Sequence, residues 1–234
     1  MGFWSAFIDA FELIAVFDAN LLEIIGLSLR VSLTSVLISL VVGLPAGAAL
    51  ATIRFRGRTA INVVVTSLMG LPPVVVGLCV YMMLSAAGPL GVLGLLYTPG
   101  AMIIAQTILI VPIVTALSRQ TIADLNDEYA DLFASLAIPP LQRILALLHD
   151  ARLRLLTVAL AGFGRAISEV GAVLIVGGNI NHVTRVMTTA IALETSKGNL
   201  DLALALGAVL LTLALVVNAL VFGLNHRIAI RGNG

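Results

Sequence analysis

Two ionisable residues, Arg165 and Glu169, stand inside the otherwise apolar or small-residue stretch from Leu155 to Val176. Four positions apart, they would share one face of a helix. A charge near the centre of a hydrocarbon layer costs at least about 2.5–3.5 kcal/mol, so two opposite charges together are the least costly way of holding either. The pair reads as a structural salt bridge between neighbouring helices or as a gate element beside a polar path. The three histidines, His149, His182 and His226, are scattered over separate loops and cannot meet in one metal site within a chain. Cys79 is the sole cysteine, so neither a disulfide nor a cysteine-based metal site can be drawn. No His-Glu-x-x-His, no Ser–His constellation at one depth and no Gly-x-x-x-x-Gly-Lys-Ser/Thr phosphate loop occurs. The chain is therefore not expected to be an enzyme or to carry a cofactor or metal, and any nucleotide hydrolysis falls to another chain.

The elements that must position Arg165 and Glu169 are set by composition. Of 234 residues, 60% are hydrophobic and 11% charged, with a mean hydropathy of +1.11. Soluble domains carry about 25% charged residues, so most of this exterior must face a lipid bilayer. Five segments can span the hydrocarbon, which takes roughly 20 helical residues: Val31 to Ile53, Ala60 to Ala87, Gly100 to Leu117, Leu155 to Val176 and Leu202 to Leu224. The expected fold is an all-α polytopic transmembrane bundle in a cell membrane.

Arg54, Arg56 and Arg58 follow the first span. Arg119, Arg143, Arg152 and Arg154 lie between the third and fourth, and Arg227 and Arg231 follow the fifth. The positive-inside rule then places the N-terminus outside and the C-terminus inside. Residues 1–26 lack the positive region of a signal peptide. Phe3, Phe7, Phe11 and Ile14 fall on one helical face opposite Asp9 and Glu12, predicting an amphipathic helix on the outer interface; a sixth span, interrupted by Asp9, Glu12, Asp18 and Glu23, is the alternative. Residues 27–234 form the membrane domain. Gly43 and Gly47 have the spacing that permits close helix contact. No basic patch interleaved with aromatics suggests nucleic acid, and no internal repeat points to a repeat-built transporter.

The long cytoplasmic segment 118–154 is the most informative loop. Asn126 or Asp127 can cap a helix starting near Glu128. Tyr129, Leu132, Phe133 and Leu136 follow the spacing of one apolar face, and Pro139-Pro140 ends it. Such a helix either packs on its own bundle or enters a groove of a soluble partner.

Three stretches carry a resemblance. Glu128-Tyr-Ala-Asp-Leu-Phe-Ala-Ser135 resembles the EAA loop of ABC importer permeases, with Tyr129 in place of the middle Ala and Ala134 where the family has Gly. Gly162-Phe-Gly-Arg-Ala-Ile-Ser-Glu-Val-Gly-Ala172, continued by Gly177-Gly-Asn179, is similar to a stretch of the sulfate, molybdate and tungstate permeases. Ser67-Leu-Met-Gly-Leu-Pro-Pro-Val-Val-Val-Gly77 resembles their second-span segment, and residues 184–198 look like the tungstate branch. The resemblance implies a type I ABC importer permease: a homodimer working with two ATPase subunits and an extracytoplasmic binding protein.

On this resemblance, Glu128, Tyr129, Ala130, Asp131, Phe133 and Ala134 would couple to the ATPase. Thr184, Thr188, Thr189, Thr195 and Ser196 on an outer loop are candidate hydroxyl donors at the anion entrance. A permanent anion site at Arg165 is disfavoured, because Glu169 repels the substrate and too tight a site stops release. A molybdate or sulfate permease of the same family is the neighbouring reading. A stand-alone secondary transporter would need coupling-ion sites for which only Arg165 and Glu169 are available.

Overall fold

The computed structural model describes residues 19–232, and every regular element among them is helical. The order is α1 Ala19–Thr52, α2 Arg58–Leu68, α3 Pro73–Leu84, a 3-10 turn at Gly91–Leu93, α4 Pro99–Glu128, α5 Ala130–Ser135, α6 Pro140–Asp150, α7 Arg152–Ile167, α8 Gly171–Gly177, α9 Met187–Lys197 and α10 Leu200–Gly232. Three stretches, in α1, α4 and α10, are long and apolar enough to cross a membrane. The number rises to five if α2 with α3, and α7 with α8, each count as one bent span. Side chains such as Leu37, Val41, Val63, Met82 and Leu211 are 60% exposed or more, as an exterior solvated by lipid requires.

Two of the expected spans are thus interrupted. The second breaks at residues 69–72, where Gly70 is followed by Pro72 and Pro73. Neither proline can donate to a helix ladder, but Pro73 is well placed at the first position of α3. The fourth breaks at residues 168–170, after Arg165 and at Glu169. The two residues therefore do not share a face of one continuous helix, which corrects the sequence expectation. The apolar stretches before and after Ser168 and Glu169 read as one run and hide the break.

At the other end, α1 runs unbroken for 34 residues, about 51 Å at 1.5 Å per residue. Residues 19–26 belong to it, so the expected boundary at residue 26 falls inside a helix. The predicted amphipathic helix through Phe3, Phe7, Phe11 and Ile14 lies outside the described residues.

Contacts divide the chain into two units. One comprises residues up to Thr34, Pro72–Gln106 and Ala166–Leu220. In it α3 and α8 touch so closely that a Cβ on Gly77 would lie 2.8 Å from Ala172 Cα. Gly177 likewise abuts Met102, and Gln106 Nε2 donates to the Ala166 carbonyl at 3.0 Å.

The other unit comprises Ser35–Leu71, Thr107–Arg165 and the residues from Val221 on. Here Gly43 and Gly47 lie against α4. A Cβ on Gly43 would meet Val114, and one on Gly47 would collide with Ser118 Oγ, which itself donates to the Gly43 carbonyl at 3.2 Å. The small-residue spacing is thus a helix contact. The same unit secures the end of α1: Arg58 donates to the Leu50 and Ala51 carbonyls at 2.7 and 2.9 Å, covering two of the four carbonyls a helix leaves unpaired.

Candidate functional site: an exposed helical hairpin and a buried polar cluster

The segment 118–154 folds differently from its sequence signals. The third span does not end near Leu117: α4 continues to Glu128, and Asn126 is buried inside it rather than capping a new helix. Packing of Ile122 and Leu125, both almost fully buried, overrides the local capping preference. The chain turns at Tyr129, and α5 occupies six residues. It closes with a Schellman-type pair of bonds, Ile138 N–H to the Phe133 carbonyl and Ala137 N–H to the Ala134 carbonyl, with Ala137 at φ +46°. Pro139 and Pro140 do not end α5. They begin α6, Pro139 as its cap and Pro140 at its first position.

This helical hairpin has an inside and an outside. Phe133 is buried, edge-on to Tyr129 at 5.8 Å and under the Arg143 guanidinium, 5.0 Å from the ring centroid. Tyr129 donates its hydroxyl to Asp150 at 2.7 Å. That bond to a carboxylate raises the phenol above its usual value of 10.0, and burial adds to the rise. Glu128, Ala130, Asp131 and Ala134 are exposed. So are Leu132, Leu136, Leu141 and Leu145, at 53%, 62%, 69% and 59%. The expected single face through Tyr129, Leu132, Phe133 and Leu136 is therefore split: the aromatic rings pack inward and the leucines point out.

The second cluster lies at the break after α7. Arg165 is in the last turn of α7 and half-buried; Glu169 is 4% exposed in the break. Glu169 Oε1 accepts the Ala172 N–H at 3.1 Å, and its carbonyl accepts the Thr188 hydroxyl at 2.8 Å. The carboxylate thereby takes one of the N–H groups orphaned at the start of α8, as a helix broken inside a membrane requires.

Of the five outer-loop candidates, Thr184, Thr188 and Thr189 are buried and bonded internally. Thr184 donates to the Gly177 carbonyl and accepts from Ile180 N–H. Thr189 accepts from Val186 N–H and donates to its carbonyl, winding the first turn of α9. Only Thr195 and Ser196 are exposed among the five, and Ser196 donates to the Ala192 carbonyl at 2.8 Å.

Sequence reasoning passed over a serine stripe on α1. Ser28, Ser32, Ser35 and Ser39 are all buried, and their spacing of three and four was the readable signal. Ser28 accepts the Met187 N–H at 2.8 Å. Ser28, Ser32, Gln106, Glu169 and Thr188 supply the polar lining of a cavity of about 10 Å³, at the lower limit for one water. Among the described residues no group of three or more His, Cys, Asp or Glu could hold a metal. The arrangement thus offers a buried polar cluster beside a helix break and an exposed apolar surface on the hairpin.

Residues 21–230 match the family described as binding-protein-dependent transport system inner membrane component. The chain is 42% identical over 214 residues to a probable anion ABC transporter permease protein of Haloferax volcanii, covering 88% of this chain and 92% of that one. It is 41% identical over 222 residues to the tungstate uptake system permease protein TupB of Peptoclostridium acidaminophilum, covering 95% and 97%. It is 31% identical over 168 residues to the molybdenum transport system permease protein ModB of Azotobacter vinelandii, covering 68% and 74%. The chain belongs to the binding-protein-dependent transport system inner membrane components, as a non-catalytic ABC transporter permease of the molybdate/tungstate group.

Proposed function

We propose that this permease carries tungstate into the cell as a homodimer, driven by two ATPase subunits and fed by an extracytoplasmic binding protein. The observation that carries the substrate is the contrast in identity: 41% over nearly the whole chain to a tungstate permease, against 31% over about two thirds to a molybdenum one. The test is uptake of labelled tungstate, molybdate and sulfate by the reconstituted complex, with and without ATP. ATP-dependent tungstate uptake exceeding the other two is expected; preference for molybdate or sulfate, or uptake without ATP, would refute the reading.

Coupling falls to the hairpin. Exposed Leu132, Leu136, Leu141 and Leu145 on a cytoplasmic element give a soluble partner an apolar surface to cover. Small exposed Ala130 and Ala134 allow close approach, and Glu128 and Asp131 supply charge at the rim. Tyr129 and Phe133 act from behind, holding the hairpin in shape. Glu169 serves the fold by capping α8. Arg165 precedes the break in the fourth span and Glu169 lies in it, where a gate would flex. Thr195 and Ser196 are the outer-loop hydroxyls best placed to meet an arriving anion, since Thr184, Thr188 and Thr189 hold the loop together.

A further inference from the structure

A groove of about 490 Å³ lies within one unit between α1 and the α6–α7 corner. Val41, Leu44 and Pro45 form one wall and Leu156 and Ala159 the other, and Arg152 stands at one end. The volume is in the range of sites that hold a ligand of drug size, and the lining is almost wholly apolar. Two features shape it. Pro45 sits inside α1, where its ring presses on the Val41 carbonyl and supplies no N–H to it. Arg152 opens α7, and Nη1 of its guanidinium is held by His149 Nε2 at 2.8 Å and the His149 carbonyl at 3.1 Å. The rest of that planar fork faces outward with Arg152 exposed. The nearest acid in sequence, Asp150, is engaged by the Tyr129 hydroxyl, and Arg154 adds a second exposed positive charge.

We infer that this groove binds an anionic glycerophospholipid of the cytoplasmic leaflet, one acyl chain between α1 and α7 and its phosphate on Arg152. The geometry has the right order. From Arg152 to Ala159 the helix descends about 10 Å at 1.5 Å per residue, so the cation sits at headgroup level and the apolar walls at acyl-chain depth. A guanidinium fork matches phosphate oxygens in pairs, and the cytoplasmic leaflet is the one with an excess of anionic lipid. The tungstate path cannot be the occupant, because a dianion would find one cation and no other polar lining. The leaflet rests on the orientation proposed above; binding itself does not, nor does it depend on which anion is transported.

The test is native mass spectrometry of the permease–ATPase complex taken from nanodiscs of equal phosphatidylglycerol and phosphatidylcholine. The intact complex should retain phosphatidylglycerol over phosphatidylcholine by about tenfold, because the choline cation of the latter brings a positive charge close to Arg152 and Arg154 that phosphatidylglycerol lacks. Arg152→Gln should return that ratio to the nanodisc composition. Val41→Trp, at a position 74% exposed and so harmless to the core, should reduce retention of both lipids by filling the mouth of the groove. Equal retention of the two lipids by the unmodified complex, or undiminished preference in Arg152→Gln, would overturn the proposal. So would disulfide crosslinking of Val41→Cys between two copies of the chain, which would make a second copy the occupant.

Discussion

Glu169 is a buried carboxylate that serves the backbone. Its side chain accepts the Ala172 N–H and so starts α8. Glu169→Gln keeps a carbonyl oxygen in that place, whereas Glu169→Leu leaves a buried N–H without a partner, costing about 1–3 kcal/mol. Thermal unfolding in detergent should show the leucine variant clearly less stable and the glutamine variant near the unmodified protein, with transport retained by glutamine. A glutamine variant that folds but does not transport would transfer Glu169 to the gate. Glu194 is the complementary case outside the membrane. Its carboxylate receives Lys197 at 2.9 Å and Asn199 at 3.0 Å. The lysine contact does most to hold it below its ordinary value of 4.5, burial opposes, and Asn199 assists. A depressed acid stabilises the fold above that ordinary value and loses its contribution as pH falls through the lower folded one. Acid unfolding of the unmodified protein should therefore steepen below about pH 4.5, and Glu194→Gln should remove that component. An unchanged acid profile would exclude Glu194 as its source. Both residues were visible in the sequence as charges; their backbone and neighbour contacts were not, because those depend on where the chain breaks and caps.

Helices were legible in the sequence where hydropathy and charge agreed, and misplaced where a local signal met a tertiary one. The spans stood out because uninterrupted apolar runs need lipid. The break after α7 was hidden because the apolar stretches on both sides of Ser168 and Glu169 read as one run. Asn126 and Asp127 resembled a helix start, yet burial of Leu125 and Asn126 carries α4 past them. The proline pair resembled a stop and is a start. For the hairpin these corrections matter, since they separate residues that hold its shape from residues that face a partner. Phe133 belongs to the first group, and Phe133→Ala should cost up to about 3–5 kcal/mol of local stability. Ala134 is exposed, on the surface proposed to meet the ATPase. Ala134→Arg should leave folding and yield unchanged while weakening ATPase association and abolishing uptake, because a long charged chain cannot enter a close contact without clash and desolvation. Co-purification and uptake measured together decide it. Normal association with normal uptake would remove α5 from the coupling surface.

At the scale of the whole protein, orientation and substrate choice rest on different parts. The arginines cluster after α1, along the α4–α7 segment and at the C-terminal end, and the proposed orientation, which follows the positive-inside rule, has all three on the cytoplasmic side. A reporter active only outside should therefore work when fused near Leu93 or Lys197 and fail near Gly57 or Gln142; inversion at any of these would overturn the five-span orientation. Substrate choice should not lie in this chain. Tungstate and molybdate have nearly the same size and charge, and a path that must release its ion binds it weakly, leaving little free energy with which to tell the two apart. Discrimination is a difference of affinities, so it belongs where the anion is held tightly, in the separate binding protein. The internal use of Thr184, Thr188 and Thr189 fits this division, since three hydroxyls near the outer loop are committed to the fold. Supplying the complex with a molybdate-selective binding protein that docks on it should shift uptake toward molybdate, read as the ratio of the two labelled anions. Tungstate preference persisting in that chimera would place selectivity in the permease itself.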